Sequence, residues 1–227
     1  MSKSFLFDKE QWFDVTLYLD EAEVVADVWL DEIECRISSL HLDFVKETFL
    51  RAGLRAYRLK YGKKVSAKEV YIKAGYSKST FHRMFDTFPS YQLKLYHFIA
   101  DMAVDIYADY LERKERSPKE FCRFTRDCIY SSHLSAPKSI VADLYRINSP
   151  ITPERFYPFI PKTAEVMYEY IRSRRDLGYR EFSLDGLTEV VRTLDYDIMF
   201  SKVSDGGFFP NIEQANRLER MLFAYIT

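Results

Sequence analysis

From residue 42 onward, apolar side chains recur every three or four positions, and most of the glycines and prolines stand between those runs. Seven glycines and eight prolines in 227 residues are too few for a loop-rich β-sandwich and well suited to long helices. The chain is therefore expected to be mainly all-α. Its length suffices to bury a core and to hold one large domain or two small ones. Aromatic residues are frequent, with 18 Phe and 17 Tyr. Most of them read as core, and any that line a cavity would favour flat or apolar ligands.

Residues 42–61 carry a stripe of Phe49, Leu50, Gly53, Ala56 and Tyr57, with Arg51, Arg55 and Arg58 outside it, and Gly62 is placed to stop that helix. Ser66 then opens a short helix with Glu69 as its capping-box partner; Val70 and Ala74 point inward and Gly75 breaks the helix. Ser77 can cap a third helix, in which Phe81 and Phe85 share one side and Lys78, Ser79, His82 and Arg83 the other. The stretch from Asp86 to Ser90, containing Pro89, is expected to end it, with a long helix from about Tyr91 to Arg113. Further helices are expected from Ser117-Pro118 to about Ser132, Ser135 to Asn148, Thr152 to Tyr157, Pro161 to Leu177 (stopped by Gly178), Ser183 to about Val203, and Asn211 to about Tyr225. The first 40 residues are less plain. Val15 to Leu19 alternates like a strand; Val25, Val28, Trp29 and Ile33 fit a helical face, yet Trp29, Ile33, Cys35 and Ile37 also fit one face of a strand. The balance leans to helix.

Helix, short helix, glycine turn, exposed polar short helix is the sequence form of a helix-turn-helix. The second helix props the third across the phosphate backbone, and the third enters the major groove. The distribution of charge agrees. Residues 46–97 hold twelve Lys/Arg against three Asp/Glu, while residues 1–45 hold three against eleven and the remainder eighteen against twenty. A basic block alone reads equally well as a solvated face; its coincidence with the motif points to a polyanion contact.

Other classes fit poorly. No apolar run approaches the ~18–20 residues of a membrane-spanning helix, and the first residues meet Asp8 and Glu10 without an apolar signal core. Cys35, Cys122 and Cys128 lack metal-ligand spacing and read as reduced thiols of a cytoplasmic protein. The four histidines form no zinc-like cluster. No nucleophile–base pairing or phosphate loop suggests an enzyme, and no cofactor is expected.

Residues 49–93 resemble the DNA-binding domain of the TetR family of bacterial transcription regulators. Val65 through Phe85 carry the likeness: Ser66, Val70, Ala74, Gly75, Ser77, Thr80, Phe81 and Phe85 match that family's pattern in type and spacing. About a fifth of the chain is covered. The departures are His82 where the family has a phosphate-touching Tyr, Tyr71 where it has Ala, and Phe88-Pro89 near an expected Lys, for which Lys94 is a substitute. Protonation of His82 would add charge to that contact. The chain is expected to have three parts: an acidic N-terminal extension (1–41) that departs from the family pattern and, as the resemblance implies, a helix-turn-helix domain (42–90) and a helical regulatory and dimerisation domain (91–227). It implies that Lys78, Ser79, Thr80, His82 and Arg83, with the cap residue Ser77, face double-stranded DNA, and that Ser66, Lys68 and Lys73 touch phosphates. Thr80 reads otherwise as an ordinary helix-internal residue.

The resemblance further implies a homodimer through the last two helices, with Leu187, Val190, Val191, Leu194, Ile198, Leu218, Leu222 and Tyr225 as its interface. A single-chain core would show the same periodicity. A two-fold dimer would bind a pseudo-palindromic operator. It also implies a small-molecule effector among the C-terminal helices, for which Phe121, Phe124, Tyr130, Tyr145, Phe156, Phe159 and Tyr168 are candidate lining, with Arg126 or Arg146 for an anionic group; each aromatic reads also as core. The function implied is a repressor released by its effector. The alternatives are a non-effector architectural DNA-binding or protein-interaction module on the same fold, and an activator. The acidic extension either docks on the basic domain in competition with DNA or packs as a structural addition, the second being preferred.

Overall fold

The computed structural model describes residues 30–38, 42–59, 64–135, 140, 159–200 and 212–227. Among them every regular element is helical: α1 (30–37), α2 (Phe44–Leu59), α3 (Ala67–Lys73), α4 (Lys78–Phe85), α5 (Phe88–Glu112), α6 (Pro118–Ser135), α7 (Phe159–Arg172), α8 (Leu184–Phe200) and α9 (Ile212–Ile226). The helices expected at Thr152–Tyr157 and over most of Ser135–Asn148 lie outside the described residues. So do Gly62 and residues 1–29.

α1 resolves the ambiguity near the N-terminus. Ile33 and Ile37, one turn apart, are fully buried, whereas Cys35 between them is exposed. On a strand all three would share a face; on a helix they divide as observed. Asp43 caps α2, its carboxylate accepting from the N–H groups of Val45 (3.0 Å) and Lys46 (3.1 Å). The inward stripe of α2 is the expected one, with Phe49, Leu50, Ala56 and Tyr57 buried.

Two helix starts differ from expectation, and both involve proline. α5 begins at Phe88, ahead of the expected Tyr91, with Thr87 as N-cap accepting from Ser90 N–H (3.2 Å) and Pro89 in its first turn. α7 begins at Phe159, so Pro161 lies inside its first turn. Proline suits these positions because a first-turn N–H has no partner within the helix. α7 also stops earlier than expected, at Arg172. The Ser173 hydroxyl donates to the Tyr170 carbonyl (2.8 Å), a short 3₁₀ turn covers Arg175–Leu177, and Gly178 closes it at φ +95°.

One contiguous core runs through the described residues. α2 packs on α3 and α5, α4 on α5, α5 on α7, α7 on α8, and α9 on α6. The corner between α5 and α6 is tied by Arg116, a buried residue. Its guanidinium donates to the carbonyls of Leu111 (2.9 Å), Lys114 (2.8 Å) and Tyr110 (3.3 Å), satisfying the open end of α5, and lies 4.0 Å above the Phe124 ring. α7 clasps the same corner: the Tyr170 hydroxyl accepts from Arg116 N–H (2.8 Å) and donates to Lys114 O (3.0 Å).

Candidate nucleic-acid interface

Local chemistry builds the α3–α4 unit as the sequence suggests. Ser66 and Glu69 form a reciprocal capping box, with Ser66 N–H donating to the Glu69 carboxylate (2.9 Å) and Glu69 N–H to Ser66 Oγ (3.3 Å). At the far end Gly75 takes φ +74°. Its N–H donates to Ile72 O (3.0 Å), and Tyr76 N–H donates to Tyr71 O (3.0 Å). That pair of bonds turns the chain sharply, because only glycine adopts the left-handed conformation without steric penalty. Ser77 then accepts from Thr80 N–H (3.2 Å) and starts α4.

The inner face of α4 rests on aromatic rings. Phe81 meets Phe49 (5.5 Å between ring centres) and Tyr91 (5.2 Å) edge-on, and Phe85 meets Phe49 (5.4 Å) and Tyr91 (4.8 Å) in the same way. Edge-to-face pairs favour one relative orientation, so α4 is fixed to α2 and α5 by direction as well as by buried area. Its outer face is left to solvent. Lys78, Ser79, His82 and Arg83 are exposed and Thr80 is half-buried; on α3 Lys68 and Lys73 are exposed, as are the cap residues Ser66 and Ser77. Among the described residues, Lys68, Lys73, Lys78 and Arg83 take part in no ion pair.

Two other cations of the basic block, Arg51 and Arg55, are already engaged. Arg51 pairs with Glu47 (2.9 Å) and donates to the Glu34 carbonyl (2.9 Å), and Arg55 pairs with the Glu34 carboxylate. Across α1, Arg36 pairs with Asp109 of α5 (2.8 Å). Within the described part of the acidic extension, α1 thus links α2, through Glu34, to α5, through Arg36. Among the described residues of the basic block, the exposed cations outside any ion pair are Lys46 on α2, Lys64 just before α3, Lys68 and Lys73 on α3, Lys78 and Arg83 on α4, and Lys94 on α5. Lys64 belongs to this set but was not singled out in the sequence; Lys94, exposed on α5, lies 5.6 Å over the Phe85 ring.

α4 ends in an unusual way. Asp86 adopts φ +63°, ψ −68°, and Thr87 N–H donates across it to Phe85 O (2.7 Å), a γ-turn of the strained hand. The Asp86 carbonyl accepts from His82 Nδ1 at 2.7 Å.

The C-terminal candidates divide differently. Phe121 is fully buried and stacks on Tyr170 (5.5 Å), Phe124 is buried and stacks on Tyr107 (5.7 Å), and Tyr168 meets Phe182 edge-on (5.9 Å). Arg126 is not free to meet an anion, since Nε donates to Asp127 (2.8 Å), Nη1 to Asn216 (3.1 Å), and Nη1 also pairs with Glu219. Burial pushes the Asp127 carboxyl up to about 6, against the opposing pull of Arg126. The side chains of Tyr130 and Phe159, and all of Tyr145, Arg146 and Phe156, lie outside the described residues. Of the dimer candidates, Leu187, Val191, Leu218 and Leu222 are buried within the single chain, and Val190 and Tyr225 are half-buried against its core. Those four leucine and valine side chains are core, since the chain's own helices already cover them. Among the described side chains of α9, the exposed large apolar residues are Met221 and Phe223. The side chains of Leu194 and Ile198 lie outside the described residues.

Among the described residues no helix is long and apolar enough to cross a membrane. The chain matches no family model, no curated protein and no solved structure.

Proposed function

We propose that this chain is a sequence-specific, helix-turn-helix DNA-binding regulator of transcription. The observation that carries this reading is the outer face of α3 and α4. Lys68, Lys73, Lys78 and Arg83 stand exposed and outside any ion pair among the described residues, on two short helices held by a capping box, a glycine turn and an aromatic floor. Arg51 and Arg55, by contrast, are held by carboxylates of the scaffold. Cations held rigid and left facing water suit a polyanion whose counterions they displace. Lys78 and Arg83 would read guanine edges in the major groove, while Ser66, Lys68 and Lys73 would bind phosphates. A pair of chains would present two such heads to a pseudo-palindrome.

Whether the protein is a repressor released by an effector turns on the C-terminal helices. The packing of Phe121 and Phe124 against Tyr170 and Tyr107 favours a second reading, a DNA-binding protein without an effector. Selecting duplexes from a random pool with the purified protein tests the sequence specificity on which the first reading rests. A regulator returns a short, symmetric consensus; an architectural binder returns none, and sequence-independent recovery would overturn the first reading.

A further inference from the structure

We propose that His82 is a proton-gated phosphate contact, able to donate to a duplex only as the imidazolium. This rests on the DNA-binding reading and specifies its regulation. A carbonyl oxygen only accepts, so the 2.7 Å contact with Asp86 O assigns the hydrogen to Nδ1. In the neutral ring Nε2 is then a bare acceptor. A phosphate oxygen, also an acceptor, gains nothing from it. Protonation places a hydrogen and a positive charge at Nε2 while leaving the Asp86 contact intact, and one ring then bridges the end of α4 to the backbone of the nucleic acid.

The strained turn at Asp86 gives this geometry its rigidity. Phe85 O and Thr87 N–H close the turn on either side of Asp86, and Thr87 caps α5, so the accepting carbonyl is held by two helices at once. The charged groups on the packed elements are Lys78 and Arg83 on α4 with Asp86 at its end, Lys68, Glu69 and Lys73 on α3, Lys46, Glu47, Arg51 and Arg55 on α2, and Lys94, His97, Asp101, Asp105, Asp109 and Glu112 along α5. Glu69 is engaged in its cap. An arriving phosphate favours the protonated ring. Binding takes up a proton at each head, and affinity falls as pH rises.

The test uses the full chain, with long-range ¹H–¹⁵N spectra of the His82 ring and duplex affinity against pH at fixed ionic strength. The expected neutral form is the Nδ1–H tautomer; an Nε2–H tautomer overturns the proposal without touching the DNA-binding reading. Between about pH 5.5 and 8, wild-type affinity is expected to fall on the order of tenfold, an effect the size of one charged hydrogen bond. His82→Gln is expected to remove most of that dependence. Equal pH profiles in wild type and H82Q overturn the proposal alone. Absence of any duplex binding at every pH overturns it together with the reading beneath it.

Discussion

The hydroxyl of Tyr91, buried on α5, donates to the carbonyl of Phe49 on α2 at 2.7 Å, directly above Gly53. The two helices approach this closely because Gly53 has no side chain. A Cβ there would collide with the Tyr91 hydroxyl and lie 2.7 Å from Leu95. The same Tyr91 ring forms part of the floor under Phe81 and Phe85, so the hydroxyl and its glycine set the height of α4. Gly53→Ala is expected to destabilise the fold by about 1–3 kcal/mol, the usual cost of overpacking. Tyr91→Phe, which only removes the hydrogen bond, should cost about 1 kcal/mol. Denaturant unfolding of the two variants checks the order; equal stabilities would contradict the close-approach account.

The caps of the α3–α4 unit make separable contributions. Ser66→Ala removes the arm in which the hydroxyl accepts from Glu69 N–H, leaving the backbone N–H of residue 66 on the Glu69 carboxylate, and should cost about 1 kcal/mol. Gly75→Ala meets no neighbouring atom but strains a residue at φ +74°, for about 1–2 kcal/mol. Asp86→Gly should act in the other direction, stabilising by roughly 0.5–1 kcal/mol because glycine accepts the conformation that aspartate strains to hold. Melting curves of the three variants test these signs.

Asp127 predicts a pH dependence. Its carboxyl is held at about 6 in the folded chain, chiefly by burial, against about 3.9 in an unfolded one. The folded state therefore binds the proton more tightly. The resulting stabilisation is complete below about pH 4 and is lost as pH rises through about 6. The effect is on the order of 2 kcal/mol, and Asp127→Asn should remove it. Comparing wild-type and D127N stability across this window isolates the group; parallel profiles would contradict the assignment.

What was legible in the sequence is what short-range chemistry decides. Ser66 with Glu69, Gly75, Ser77 and the pair Phe81–Phe85 all lie within a few residues of the partners that define them, and the structure has them as expected. Pro89 and Pro161 misled for the same local reason, since proline either ends a helix or sits in its first turn. Long-range pairings left no such trace. Glu34 meets Arg51 and Arg55 across 17 and 21 residues, and Glu219 reaches Arg126 across 93. Periodicity also reports that a face is covered, not by what. Leu187, Val191, Leu218 and Leu222 would show the same stripe in a dimer, yet the chain's own core takes them.

The central claim is that the exposed cations of α4 read DNA, and the most direct measurement is the affinity of Lys78→Ala/Arg83→Ala for a selected duplex against a scrambled one, over a range of salt. Neither side chain supports the core, so the variant should fold normally. Loss of the two contacts, each worth roughly 1–3 kcal/mol of base discrimination, is expected to abolish most of the preference and to flatten the salt dependence. Undiminished preference for the selected duplex, with an unchanged salt slope, would contradict the account.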